Sequence, residues 1–336
     1  MKVIITGGGG FLGSQLAEAL LVRGELTGAS GSVEPIEELV LLDARFGVGP
    51  TVAPVRRMEG DITERAVIED AIGGAASFSI FHLASMVSGE CEDRYDDAVR
   101  VNLDGGRHIF EAGRAATGQP RVVVASSVAS FGGEGMPTPV GDLTKHTPRT
   151  TYGMTKAICE LRLTDHVRKW HFDGRAVRLP TVIIRPGRPN AAASGWASGM
   201  FREPLKGESC ALPVHRHQPH PMTGFRTVVE SFIALHEIPP KKLGEDRGYC
   251  LPAHQVTPEL AETVLAEVAA ERGLTLGPIE DAFDPRIQAI VDTWPTAVDG
   301  TRAVNLGLPK PPPLPETAGH SPETFGPDQR RCRRPG

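Results

Sequence analysis

Residues 2–13, KVIITGGGGFLG, constrain the fold of this chain more than any other stretch. A short apolar run, KVIIT, reads as a buried parallel strand. It meets a cluster of glycines, and SQLAEALLVRG follows with Leu16, Ala19 and Leu20 on one helical face and Gly24 as the stop. Gly7, Gly10 and Gly13 stand in G-x-x-G-x-x-G spacing. Glycines there permit a tight turn, close approach of backbone to a pyrophosphate, and close packing of helix on strand. The helix N-terminus beyond the turn offers free N–H groups and the positive end of its dipole to an anion. Glycine clusters also make ordinary turns. The position between a strand and a helix selects the dinucleotide reading.

The alternation continues along the chain. ELVLLD (38–43) is a second strand, and VRRMEGDIT carries a third. ERAVIEDAI reads as a helix and FSIFHLAS (78–85) as a fourth strand. DDAVRVNLDGGRHIFEAGRAA (96–116) reads as one long amphipathic helix. RVVVASSVASFGG (121–133) is a fifth strand with a turn at its end, and RAVRLPTVIIRPG is a sixth strand region. Residues 25–38 are polar and read as a surface excursion. Strands alternating with helices predict an α/β fold, a doubly wound parallel sheet of the Rossmann type with a smaller C-terminal lobe. Such a sheet binds its ligand at the carboxyl ends of the strands. The expected division is a dinucleotide-binding domain over 1–186 and a lobe made mainly of 187–308, with some segments returning to the first domain. The Pro-rich stretch 309–336, ending RRCRRPG, is expected to be a disordered tail.

Composition excludes several function classes. With 36 Lys and Arg against 41 Asp and Glu, the net charge is -5 and no basic patch suits nucleic acid. Cys91, Cys159, Cys210, Cys250 and Cys332 are scattered without a C-x-x-C pair, which fits free thiols in a reducing cytosol better than disulfides or a zinc site. No apolar run is long enough for a bilayer, and MKVIIT starts as a strand rather than a signal peptide. The expectation is a soluble, cytoplasmic protein with no membrane partner.

Candidate chemistry sits at the strand ends. Asp43 closes the second strand, where a carboxylate can accept hydrogen bonds from both hydroxyls of an adenosine ribose and repel a 2′-phosphate, favouring NAD over NADP. A turn-forming Asp is the alternative, and Arg45 nearby suits a 2′-phosphate. Asp61 follows the third strand within reach of an adenine; a helix N-cap before ERAV is the alternative. Ser126 and Ser127 end the fifth strand. In TTYGMTKAICELRL (150–163), Tyr152 and Lys156 are one helical turn apart on one face, with Ile158, Leu161 and Leu163 behind them. An ammonium beside a phenol favours the phenolate, which is how a tyrosine serves as a base. A surface Tyr and Lys with nothing between them is the other reading. Of the tyrosines Tyr95, Tyr152 and Tyr249, only Tyr152 pairs with such a lysine after a strand-end serine. His215, His217 and His220 have H-x-H-x-x-H spacing but lie in a proline-rich loop, and no metal is expected there.

TGGGGFLG, Asp43, HLAS at 82–85, Asn102 in VNLDGG, SSVASFG and YGMTK, in this order and spacing, resemble the extended short-chain dehydrogenase/reductase superfamily over about residues 1–200. HLASMVSGE, VNLDGGRHIFEA, YGMTKAICEL, FDGRAVRLPTVIIRPGRPNAAASG and REPLKGE narrow the resemblance to its D-erythronate dehydrogenase branch, which oxidises a four-carbon sugar acid at C2 with NAD. The resemblance implies Tyr152 as base, Lys156 on the nicotinamide ribose, and Ser127 on the substrate hydroxyl. It implies NAD contacts at Gly7, Gly10, Phe11, Leu12, Gly13, Asp43, Asp61, Ile62, Leu83, Ala84, Asn102, Tyr152 and Lys156. Substrate contacts are expected at Ser85, Ser127, Arg188, Asn190, Ser194 and Arg226, and a homodimer through helix packing. Arg185, Arg188 and Arg226 are the candidates for the substrate carboxylate, with Arg226 first. Two stretches depart from that branch: HRHQPHPMTGFR (215–226), whose counterpart ends in Ser-Pro-Arg, and the stretch after Leu308, whose counterpart is an acidic amphipathic helix. A nucleotide-sugar epimerase or dehydratase that retains NAD, and a non-catalytic NAD-sensing regulator, are the alternative readings of the same scaffold.

Overall fold

The computed structural model describes residues 1–47, 49–186 and 192–319. Seven parallel strands form the central sheet, in the order Gly248–Cys250, Asp173–Leu179, Arg121–Ser127, Phe78–His82, Lys2–Thr6, Glu38–Asp43, Val55–Glu59. Their apolar side chains divide between the two faces. Val3, Ile5, Leu39, Leu41, Phe81 and Val123 join one buried cluster with the first helix, Phe11–Arg23. Ile4, Val40, Leu42, Ile80, Val122 and Val124 join another with Ile109, Phe110 and Leu163. Burial on both faces explains why the strands read as continuous apolar runs rather than alternating ones. Strand order reverses beside Lys2–Thr6, between its neighbours Glu38–Asp43 and Phe78–His82, and a crevice forms at such a switch point.

Several elements differ from the sequence reading. The stretch 96–116 is not one regular helix: a short turn, Tyr95–Ala98, runs into a π-helical segment, Val99–Asp104, and then a helix over Gly105–Ala115. The sixth strand region is split at Pro180, which has no N–H to continue a ladder. Asp173–Leu179 stays in the large sheet, while Thr181–Ile183 pairs in a three-stranded sheet with His220–Gly224, itself paired with His254–Val256. Residues 25–38 contain a small hairpin, Glu25–Thr27 with Val33–Pro35, that buries Leu26. The chain returns from the lobe to the sheet through the helix Phe225–Glu237, whose Val228, Phe232 and Leu235 pack into the first cluster, and through the edge strand Gly248–Cys250.

The smaller lobe is built on the helices Gly195–Leu205 and Pro258–Arg272, with a core that includes Trp196, Phe201, Val264 and Trp294. The start of the expected tail is packed. Leu314–Gly319 is a short helix whose Leu314 and Ala318 enter that core, and Arg272 Nη2 donates to Gly319 O at 2.9 Å. Prolines 311–313 end any preceding helix but do not keep the next residues from burying apolar surface. Residues 320–336 lie outside the described residues. Among the described residues no helix is long and apolar enough to cross a membrane, and Cys91, Cys159, Cys210 and Cys250 are buried and free.

Candidate active site

The crevice begins where Lys2–Thr6 and Phe78–His82 end side by side. Leu83 N donates to Thr6 O at 3.0 Å, and Thr6 Oγ1 lies 2.8 Å from His82 Nδ1. Burial, helped by the charge of Lys156, holds the His82 pKa down to about 3, so this bridge is neutral. The two strand ends come so close that a Cβ on Gly7 would stand 2.8 Å from Ala84 N, and Gly7 has a φ of +73°. A Cβ on Gly13 would overlap the carbonyl of Gly7. These glycines let the helix Phe11–Arg23 start against the turn. Its N-cap, Gly10, makes no side-chain cap, and no acidic residue stands in its first turn. Gly7, Gly10, Phe11, Leu12, Gly13 and Leu83 line a cavity of about 340 Å³. A loop without side chains and an uncapped helix end fit a pyrophosphate.

Beside the turn, Asp43 Oδ2 accepts from Gly9 N at 3.0 Å. Its carboxylate therefore braces the glycine loop, while Arg45 is exposed. Asp61 does not cap a helix: the next helix, Arg65–Ile72, has Glu64 as N-cap, and Asp61 Oδ1 accepts from Thr63 N at 2.9 Å. That bond holds the Asp61 carboxyl below its usual range. Ile62 is buried against Gly105. Asn102 sits in the π-helical segment and its amide is committed within the protein. Oδ1 accepts from Met86 N at 2.8 Å, and Nδ2 donates to Thr155 Oγ1 at 3.1 Å. Asn102 thus ties the loop after the fourth strand to the Tyr152 helix. Asp43, Asp61, Ile62, Ala84 and Asn102 are outside the cavity lining.

The helix Thr151–Arg168 carries Tyr152 and Lys156, both on the cavity. Thr150 Oγ1 caps it by accepting from Gly153 N at 3.1 Å. A Cβ at position 153 would overlap Ala129 O, so glycine is what lets the first turn of the helix rest on the turn after the fifth strand. The buried face of this helix is unlike the apolar pattern. Lys156 and Glu160 are buried, and Leu161 is 63% exposed. Lys156 Nζ donates to Ala125 O at 2.9 Å and lies 5.4 Å from the centre of the Tyr152 ring. Its other two N–H donors make no hydrogen bond among the described residues.

Both strand-end serines line the cavity, but they differ. Ser126 Oγ donates to the buried Glu160 carboxylate, which also accepts from Arg178 Nε at 2.9 Å and Nη2 at 2.7 Å. Burial alone would raise the Glu160 pKa; the hydrogen bond with His146 and the Arg178 guanidinium override it and hold it at about 2. Ser127 Oγ accepts from Ala129 N at 3.1 Å and keeps its hydroxyl proton to donate.

The lobe closes the cavity with Thr181, Arg185, Ser194, Ser198, Arg202, His220 and Trp294. Arg185 is held by its backbone: its N donates to Ser198 Oγ at 3.1 Å, and its O accepts from Arg202 Nη1 at 2.5 Å. Burial and the charge of Arg202 push its pKa down. Arg202 is paired with Glu203, whereas the Arg185 guanidinium has no ion pair among the described residues. Ser194 starts the helix Gly195–Leu205 and makes no cap with its side chain; Ser85 Oγ donates to Met86 O at 2.9 Å. Arg226, the first choice for the carboxylate, is not in this lining. It begins the helix Phe225–Glu237, in the field of Glu230 and Glu316. Sequence spacing could not show that the chain turns back to the large sheet there. Arg188 and Asn190 lie outside the described residues.

The segment 215–226 is integrated into the lobe. Arg216 pairs with Glu262 and, at 2.8 Å, with Asp281. The histidines separate: His215 stacks on His217 and Phe283, while His220 joins Thr181 inside the cavity. Thr181 and Trp294 escaped the sequence reading altogether; one is a single residue in an apolar string and the other lies far along the chain.

The NAD dependent epimerase/dehydratase family matches residues 3–219. D-erythronate dehydrogenase of Cupriavidus necator is 41% identical over 92% of this chain and 94% of its own length. D-erythronate dehydrogenase of Haemophilus influenzae is 38% identical over 92% and 94%. Among solved structures, a nucleoside-diphosphate-sugar epimerase from Agrobacterium tumefaciens superposes with a TM-score of 0.84 at 35% identity, covering 95% of this chain and 92% of that one.

Proposed function

The chain belongs to the NAD-dependent epimerase/dehydratase family, and from that premise we propose that it oxidises D-erythronate, a small 2-hydroxy sugar acid, to 2-dehydro-D-erythronate with NAD. The observation that carries the reading is the sharing of one cavity by Ser127, Tyr152, Lys156 and Arg185, whose guanidinium has no ion pair among the described residues. The sheet half holds the cofactor. The backbone around Gly7, Gly10, Phe11, Leu12 and Gly13 takes the pyrophosphate, Asp43 the adenosine ribose, and Lys156 the nicotinamide ribose. Asn102 acts behind them by fixing the loop that carries Leu83, Ala84 and Ser85. NAD, when bound, supplies the hydride acceptor.

The lobe half orients the substrate. Arg185 takes the carboxylate in a charge-assisted pair. Tyr152 Oη removes the proton of the C2 hydroxyl. Ser127 Oγ donates to the same oxygen and steadies the charge that develops on it. Lys156, buried beside the phenol ring, supplies the positive field in which that proton moves. Ser85 and Ser194 offer further hydroxyls at the wall. The test is direct: protein, NAD and a panel of four-carbon sugar acids are mixed and NADH is followed. D-erythronate should be the best substrate, and no NADH from any acid would refute the reading.

One finding favours a second reading, the likeness to a protein described as a nucleoside-diphosphate-sugar epimerase. A nucleotide sugar retained through purification, together with no NADH release, would establish it. A purely sensing role is disfavoured because Ser127, Tyr152 and Lys156 are all present. We place the enzyme in the cytoplasm, which suits its buried free thiols. The exposed Leu161 on the Tyr152 helix supports a homodimer packed through that helix, which sedimentation would detect.

A further inference from the structure

The cavity lining holds a group that this chemistry does not use. His220 is 2% exposed, and its Nε2 lies 2.6 Å from Thr181 Oγ1. Its ring meets both Trp196 and Trp294, with centroids 5.6 and 5.7 Å away. The hydrogen bond and the two indoles fix the orientation of the imidazole. Nδ1 makes no hydrogen bond among the described residues. Burial lowers the pKa to about 4, so the ring is neutral near pH 7. Trp294 lines the same cavity, and its buried Nε1–H has no partner among the described residues. Tyr152 packs against the apolar cluster that contains both tryptophans, so the phenol and the imidazole share one wall.

We infer that His220, held by Thr181, is a specificity residue that binds a hydroxyl on the tail of the substrate, at C3 or C4. The inference rests on the dehydrogenase reading above. A neutral imidazole with one nitrogen engaged presents the other as a single donor or a single acceptor, according to tautomer. A hydroxyl matches either form. A carboxylate matches only the donor form, and Arg185 offers it a full charge instead. The two ends of a short polyhydroxy acid are thereby sorted, the acid to Arg185 and the tail to His220. An analogue without the tail hydroxyls leaves a buried polar group unpaired and is rejected for that reason. The competing role is bracing, because His220 and Thr181 stand on paired strands. Bracing would affect every substrate alike.

The experiment compares D-erythronate with 2-hydroxybutyrate of the same configuration at C2, which keeps the acid and the reacting alcohol but lacks the tail hydroxyls. His220→Phe keeps a ring against the tryptophans and removes both nitrogens; Thr181→Val releases the ring. For His220→Phe, kcat/KM on D-erythronate should fall about tenfold or more, chiefly through KM, with under about threefold change on 2-hydroxybutyrate. Thr181→Val should move the ratio the same way by less, and it decides the matter if the Phe variant does not fold. An equal fall on both acids, or an unchanged KM for D-erythronate, overturns the inference while leaving the dehydrogenase reading intact. No NADH from the wild type with any sugar acid overturns both.

Discussion

The two halves of the cavity hold their groups by different means. On the sheet side the backbone does the positioning: Gly7, Gly13 and Gly153 stand where a Cβ would strike another segment, and Asp43 is tied to Gly9 N. On the lobe side, side chains do it. Arg185 is fixed through Ser198 and Arg202, and His220 through Thr181 and two indoles. A wall made of backbone serves a constant ligand such as a dinucleotide, because the contacts do not depend on which side chains surround them. A wall made of side chains changes with single substitutions, which is why the proposed selectivity is assigned to that side.

The contrast can be broken at four points. The largest effect is expected at Tyr152. Tyr152→Phe should lower kcat by about 10²–10⁴ while NADH binding, read by fluorescence titration, persists. Retained turnover would show that Tyr152 is not the base. Next comes the buried pair behind the sheet wall. Glu160→Gln removes the nearer counter-charge of Arg178, leaving the Asp142 carboxylate at 3.9 Å, and should cost about 3–5 kcal/mol in denaturant unfolding. Glu160 is held at about 2 against an ordinary 4.5. Its share of stability is therefore complete above about pH 5 and is lost as pH falls toward 2. The variant should show a flatter stability profile across that window, and an unaltered profile would mean other carboxylates carry it.

On the lobe side, Arg185→Ala should raise KM for D-erythronate about ten- to hundredfold with a smaller change in kcat. Arg226→Ala should do less, and the reverse order would return the carboxylate to Arg226. The smallest effect is at the rim of the sheet side. Asp43→Ala should narrow the preference for NAD over NADP by about tenfold, through loss of repulsion toward a 2′-phosphate. Equal use of both cofactors by the wild type would make the exposed Arg45 the deciding group.

Much of the sheet side was legible because its signals are local. A buried parallel strand is a short apolar run, and a glycine turn followed by a helix is contiguous in sequence, so KVIIT, ELVLLD, RVVVA and G-x-x-G-x-x-G each declare themselves. Y-x-x-x-K is one helical turn and equally local. Where the reading failed locally, a distant partner was responsible. The 96–116 helix breaks into a π segment where Asn102 bonds Met86 and Thr155. The Tyr152 helix rests Leu163 on an apolar core, yet it also buries Lys156 and Glu160 and exposes Leu161, since those two face the cavity and Arg178. Gly248–Cys250 is three residues long, and nothing in it announces the edge strand it becomes on meeting Asp173–Leu179.

By itself the sequence determined the strand–glycine turn–helix over 2–23, the Tyr152–Lys156 pair one helical turn apart, and the placement of each at a strand end or on the helix that follows one. Those are consequences of chain chirality, glycine's freedom at positive φ, and the helical repeat, all of which act over a few residues. Tertiary structure alone decided which of two adjacent serines is tied to Glu160, which arginine faces the cavity without a counter-ion among the described residues, and that His220 parts from His215 and His217 to sit between strand and indoles. Those outcomes turn on burial and on partners tens of residues away. The cost of an unpaired buried group selects them, and that cost exists only once the chain has closed around it.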